Sequence, residues 1–256
     1  MSSRTQRVRY LIKKGLYLLP VFVERPRLLM LPSQGVHLGE FLNLDTPWLR
    51  QARIHTVLDI GANTGQFASA VRKVLPHARI YSFEPLTDCY RQLKDRMSGA
   101  DEFEAFNVSL GSEDGSTTFY RNAFTKSSSV LPITDLHRSA FAWTAQTTPV
   151  TVEMRCLDSF WDELVLRPNM LVKIDVQGFE DRVLLGGERV IRAAKYVIIE
   201  TSFEQLHEGQ ASFERVYDLM VGYGFRYAGC MDQLESPIDG RVLEADALFV
   251  RQGDDA

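Results

Sequence analysis

From Thr56 onward, short apolar runs alternate with segments whose apolar residues recur every three to four positions, and few folds satisfy that alternation. Thr56-Val-Leu-Asp-Ile60 is a brief apolar run ending in glycine, the pattern of a buried strand. Phe67, Ala70, Val71, Val74 and Leu75 then share one helical face, and Pro76 stops the helix. Arg79–Phe83 predicts a second strand. Tyr90, Leu93 and Met97 mark a second helix closed by Gly99, and residues 103–110 predict a third strand. Units of this kind build parallel sheets with right-handed crossovers. Residues 111–156 break the rhythm. Strand patterns at 117–120 and 150–154, with no helix between them, predict an inserted β-hairpin or lid. Met170–Ile174 and residues 196–200 resume as strands, separated by helical stretches from Phe179 and from Glu188. Ser212 caps a helix whose face is Phe213, Val216, Tyr217, Met220 and Val221, and Gly224 ends it. Strands at 225–229 and 247–250 follow without a helix between them, so they pair antiparallel at one edge.

Charge is distributed unevenly. Arg4, Arg7, Arg9, Lys13, Lys14, Arg25 and Arg27 stand against the single acid Glu24, so residues 1–31 carry +6 and the remainder −10. Leu11, Ile12, Leu16, Leu18 and Leu19 sit among these charges, as in a basic amphipathic helix. Such an arm docks on an anionic membrane or a partner, or packs its apolar side on its own domain. The expected layout is an arm and lead-in helix over 1–55, a domain over 56–251 with its insertion at about 111–156, and a tail over 252–256. The aromatic and β-branched content excludes a disordered chain. A sequence pI of about 5.8 argues against nucleic acid as partner. Cys89, Cys156 and Cys230, without C-x-x-C spacing, exclude a disulfide scaffold and suit a reducing cytoplasmic compartment, with membrane contact only through the arm.

The turn after the first strand reads Asp59-Ile-Gly61-Ala-Asn63-Thr64-Gly65. Its glycines allow a tight turn and a close backbone approach, at the carboxyl end of a parallel strand where open α/β sheets bind ligands. The G-x-G-x-x-G of a dinucleotide site is not there, and Asp59 suits a cationic amine better than a pyrophosphate. Glu84, 23 residues after Gly61, ends the second strand, where an acid can accept both hydroxyls of a ribose. Loop and acid together describe an adenosine ligand without a required pyrophosphate. S-adenosylmethionine fits this better than NAD. The rival readings are a nicotinamide oxidoreductase and a membrane-peripheral scaffold that has kept the fold without the chemistry.

These segments resemble the FkbM family of methyltransferases. The resemblance is carried by residues 59–65, Ser82-Phe-Glu-Pro85, residues 106–111, the serines 127–129, Leu157-Asp-Ser-Phe160, Val172-Lys-Ile-Asp-Val-Gln-Gly-Phe-Glu180, Glu200 and Leu206-His-Glu-Gly-Gln210. It covers roughly residues 56–251, and Gln177 stands where the family has glutamate. It implies a class I methyltransferase fold: a Rossmann-like α/β, mostly parallel, seven-stranded sheet. It also implies S-adenosylmethionine as cofactor and transfer to a hydroxyl of a sugar, glycolipid or related natural product. By position, Asp59, Gly61, Asn63, Thr64 and Gly65 would hold the methionine end, Glu84 the ribose, and Asn107 and Val108 would border the adenine.

A sulfonium methyl is already activated, so the enzyme mainly aligns the acceptor oxygen and removes its proton. His207, in the loop after a central strand, is the first candidate base because it titrates near neutrality. Asp175 could be the base, orient the acceptor or contact the cofactor's amine, and Glu200 ends the neighbouring strand. Asp175, Glu200 and His207 could also hold a magnesium ion. Lys173, buried within its strand, needs a partner, which Glu180 or Glu200 could supply. Phe141 and Trp143 in the insertion could stack on a sugar. His37, His55, His77 and His137 receive no role.

Overall fold

The computed structural model describes residues 23–253, so the part of the basic arm over residues 1–22 lies outside it. From the described part of the arm, Leu28 and Leu31 are buried, and Arg25 pairs with Asp45. The chain runs on through α1 (Leu38–Leu44), α2 (Pro47–Gln51), β1 (Thr56–Ile60), α3 (Gln66–Val74), β2 (Arg79–Phe83), α4 (Thr87–Arg96) and β3 (Phe103–Phe106). After the insertion come β7 (Met170–Ile174), α6 (Glu180–Gly186), α7 (Glu188–Ala193), β8 (Tyr196–Ser202), α8 (Phe213–Gly222), β9 (Phe225–Glu235) and β10 (Val242–Arg251). Seven strands form one sheet in the order β3-β2-β1-β7-β8-β10-β9. Its pairs are parallel except where β10 meets β8 and β9. This is the mostly parallel, Rossmann-like seven-stranded sheet that the resemblance implies.

Every residue of β1 and β7 is buried, because helices cover both faces of the sheet. Leu58, Ile60, Val172 and Ile174 pack toward α6, α7 and α8 through Val183, Leu184, Val190, Ile191, Val216 and Met220. Val57, Ile80, Leu171 and Ile198 pack toward α1, α3 and α4 through Phe41, Leu44, Phe67, Val71 and Leu93. The two-residue period of a strand sorts the polar residues as well. Asp59 is in register with Ser82 on one side and Lys173 on the other, and Lys173 with Ile198. Two residues beyond Ile198, Glu200 lies opposite Asp246. A row of charge therefore runs across the face covered by α1 and α3, toward the carboxyl ends of the strands.

The insertion differs from the sequence reading in two respects. The expected third strand over 103–110 divides into β3 and β4 (Ser109–Gly111), and β4 leaves the main sheet. It pairs with β6 (Thr147–Cys156), which also pairs with β5 (Gly115–Asn122), giving a three-stranded sheet in the order β4-β6-β5. The connection between β5 and β6 holds a helix, α5 (Asp135–Ala140), capped by the Thr134 hydroxyl, which accepts from the His137 N–H. Among the described residues, no helix is long and apolar enough to cross a membrane.

Candidate active site

At the carboxyl ends of β1, β2 and β7 lies an open cleft that encloses about 780 Å³ of space, part of it continuous with bulk solvent. The loop after β1 makes one wall. Gly61 has φ +82°, and a Cβ there would overlap the Asp175 carbonyl oxygen, so the position tolerates only glycine. The Gly61 and Ala62 N–H groups both donate to the Phe83 carbonyl at 3.0 Å. Asn63 also has a positive φ. Its N–H donates to Glu84 Oε2 at 2.8 Å, while its Oδ1 accepts from the Thr64 N–H and from Thr125 Oγ1 of the insertion. Gly65 (φ +84°) packs on Leu93, and the Thr64 carbonyl accepts from Arg96. These two residues shape the loop and stand outside the cavity lining.

Asp59 is fully buried and faces the cavity. Its Oδ2 accepts from Ser82 at 3.3 Å, and its Oδ1 has no partner. Burial raises its pKa to about 7 against the pull of Lys173. Glu84 is likewise raised to about 7 by burial, although its carboxylate accepts from the Asn63 and Leu86 N–H groups. Past Glu84 the lining turns apolar, with Phe83, Pro85, Leu86, Val108, Leu110, Phe119 and Val130. Val108 lines this end, but Asn107 does not. The Asn107 amide donates to the Glu84 and Pro85 carbonyls, both at 2.9 Å, and so fixes the backbone that carries Glu84.

Asp175 closes the other side. Lys173 Nζ donates to its Oδ2 at 2.7 Å, and Gln177 Nε2 to its Oδ1 at 3.1 Å. Burial opposes the Asp175 charge, but Lys173 and Gln177 prevail and hold the carboxyl below the usual carboxylate range. The partner of Lys173 is thus Asp175, its neighbour on the same strand face, and not Glu180 or Glu200. Glu180 instead accepts from the Val176 and Gly178 N–H groups, which pins the turn after β7, and burial raises its pKa to about 8. Gln177, with φ +57°, donates from the same Nε2 to Glu200. Burial, then the nearby Asp175, Glu244 and Glu180 charges, push Glu200 well above its ordinary value.

His207 is elsewhere. Its side chain is fully buried, outside the cavity lining, with its ring 5.2 Å from that of His137 and neither ring nitrogen partnered. Burial, with His137 beside it, drives its pKa down to about 3, which makes a poor base. The sequence places His207 only in the loop after a central strand. In the fold, residue 133 bridges to His207, Thr134 N donates to the Leu206 carbonyl, and α5 covers the imidazole. Phe141 is buried in the same small core, against His137 and Trp143, and is not presented to a ligand. The magnesium trio therefore does not assemble. Among the described residues, no group of three or more His, Cys, Asp or Glu is placed to hold a metal.

Sequence reasoning missed Glu40 of α1 and Lys126 of a short 3₁₀ turn, Thr125–Ser127, both of which line the cavity. Glu40 lies outside the resemblance, and only the adjacent serines signalled Lys126. Those serines bind the insertion down, since Ser129 Oγ donates to the Gln177 carbonyl at 2.7 Å.

The profile of the methyltransferase FkbM domain matches residues 59–227, from the Asp59 loop through Glu200 into β9. The chain belongs to the FkbM methyltransferase family. It is similar to the 2-O-methyltransferase NoeI of Sinorhizobium fredii, with 28% identity over 194 residues, 73% of this chain and 77% of that protein. It is similar to Methyltransferase 1 of Beauveria bassiana at 26% identity, covering 67% and 72%. Among solved structures it resembles Aeropyrum pernix fibrillarin with bound S-adenosyl-L-methionine, with a TM-score of 0.45 and 13% identity over 84% of this chain and 74% of that one. As an FkbM methyltransferase this chain takes S-adenosylmethionine as cofactor, and the cavity fits it. The unpartnered Asp59 Oδ1 is a buried acceptor for a cationic group, Glu84 has lone pairs left for hydroxyls, and the apolar end suits a purine.

Proposed function

We propose that this methyltransferase transfers its methyl group to a hydroxyl of a sugar, a glycolipid or a related natural product, with Asp175 as the group that receives the acceptor. The cofactor supplies an electrophilic methyl. Asp59 and the Gly61 turn hold its amino-acid end, and Glu84 holds the ribose. The carrying observation is that Asp175 lies on the cavity wall, its Oδ2 paired with Lys173 and 32% of its side chain exposed. A carboxylate so placed accepts a hydrogen bond from an alcohol, orients its oxygen and takes the proton as the new C–O bond forms. Glu200 does not line the cavity. It acts as a positioning residue through Gln177, whose single amide nitrogen holds both carboxylates in place. The likeness to a 2-O-methyltransferase supports oxygen as the acceptor atom.

The test is transfer of labelled methyl from S-adenosylmethionine to free and lipid-linked saccharides, with amines and carboxylic acids as competing acceptors. Label on a hydroxyl is the expected result. Label on nitrogen or carboxyl alone would overturn the proposal. Asp175→Asn should lower kcat by roughly 10²- to 10⁴-fold and leave binding of S-adenosylhomocysteine intact.

A further inference from the structure

Glu40 and Lys126 reach the cavity from two separate additions to the sheet, the lead-in helix α1 and the insertion. Their charged ends meet at 3.6 Å, with 23% and 40% of the side chains exposed. That is too long for a good charge-assisted hydrogen bond, and a half-exposed pair of this kind contributes little to stability. Beside it lies the Asp59 carboxylate, whose Oδ1 is buried and unpartnered. Thr125, next to Lys126, donates to Asn63 Oδ1 at 3.2 Å and fixes the turn over the glycine loop. Glu40, Lys126 and Asp59 thus converge at one end of the cavity, away from its apolar end, with the buried Lys173–Asp175 pair beside them.

The amino-acid end of the donor is a zwitterion of one ammonium and one carboxylate. We propose that Glu40 and Lys126 bind that zwitterion, a role that rests on S-adenosylmethionine being the cofactor. Its ammonium meets Glu40 and the orphaned Asp59 Oδ1, and its carboxylate meets Lys126. The weak Glu40–Lys126 pair is exchanged for two pairs with the ligand. The lead-in helix, which the family profile does not cover, then belongs to the binding site, and donor binding ties it to the insertion.

Calorimetric binding of three compounds tests this. S-adenosylhomocysteine carries the whole zwitterion, decarboxylated S-adenosylmethionine carries only the ammonium, and 5′-methylthioadenosine carries neither. Lys126→Met should weaken S-adenosylhomocysteine about tenfold or more and spare the other two. Glu40→Gln should weaken both amine-bearing compounds and spare methylthioadenosine, whose unchanged affinity also shows that each variant is folded. The proposal is overturned if both variants bind S-adenosylhomocysteine like the wild type, or if they lose methylthioadenosine to the same degree. It is also overturned if the wild type binds methylthioadenosine as tightly as S-adenosylhomocysteine. Failure of the wild type to bind any of the three would instead remove the cofactor reading beneath it.

Discussion

Asp59 and Glu84 at the ends of β1 and β2, and His207 in the loop after β8, all follow strands of the same sheet, yet they have opposite fates. The two acids face an open cavity with hydrogen-bonding capacity to spare. The histidine is sealed under α5, pressed against a second imidazole. All three are buried, and burial shifts each toward its neutral form, the acids upward and the histidine downward. What separates them is what lies above. The turn after β1 stays low, held by Gly61 against the Asp175 carbonyl, whereas the insertion folds over the connection after β8. A polar group at the carboxyl end of a strand is a site residue only when the neighbouring connections leave it open.

The largest expected effect comes from closing the open side. Gly61→Ala places a Cβ into the Asp175 carbonyl at a positive φ, and should cost more than about 3 kcal/mol by denaturant unfolding, with loss of donor binding. A stable Gly61→Ala protein that still binds S-adenosylhomocysteine would show that the turn is not under this constraint. Next in size, Glu84→Gln leaves an amide nitrogen facing a backbone N–H and removes the anion. The dissociation constant of S-adenosylhomocysteine should rise about tenfold or more. In the wild type, affinity should also weaken as pH falls through about 7, where the Glu84 and Asp59 carboxylates take up protons.

His207 sharpens the other half of the comparison. Its folded pKa of about 3 lies below the ordinary value of 6.5, so the native state binds fewer protons than the unfolded chain between those values. This histidine therefore costs stability progressively as pH falls from 6.5 toward 3, a cost that His207→Leu should remove. At pH 8 the variant should turn over within about threefold of wild type. A loss of 10²- to 10⁴-fold would return the imidazole to the role of general base and erase the contrast. Glu180 has the opposite sign. Its pKa is raised to about 8, so its contribution is full below the ordinary value of 4.5 and is lost as pH rises through 8. Glu180→Gln should flatten that decline in thermal melts. The smallest effect belongs to Asn107→Ala, about 1 kcal/mol of stability with donor affinity changed less than that of Glu84→Gln, because its amide holds backbone and not ligand.

Much of this molecule could be read from one sequence because its signals are local. The run from Thr56 to Ile60, the helical face at Phe67 and Val71, and the glycine turn between them each lie within a short window. Period-two and period-3.6 patterning therefore predicted the parallel core and put Asp59 and Glu84 at the carboxyl ends of its strands. The helix-free final pair was predicted in the same way and forms the antiparallel edge. Tertiary structure decided what depends on segments far apart in the chain. β4 abandoned the main sheet because β6, some forty residues later, offered it a partner. Lys173 took Asp175 as its ion partner because the strand pleat puts residues two apart on one face, while Glu180 was drawn off to cap the next turn. The exposure of His207 depended on where an insertion some seventy residues upstream came to rest, and the presence of Glu40 in the cavity on how α1 docks against α3. Side-chain periodicity is a property of the local backbone, whereas access to a site is a property of whatever else packs against it.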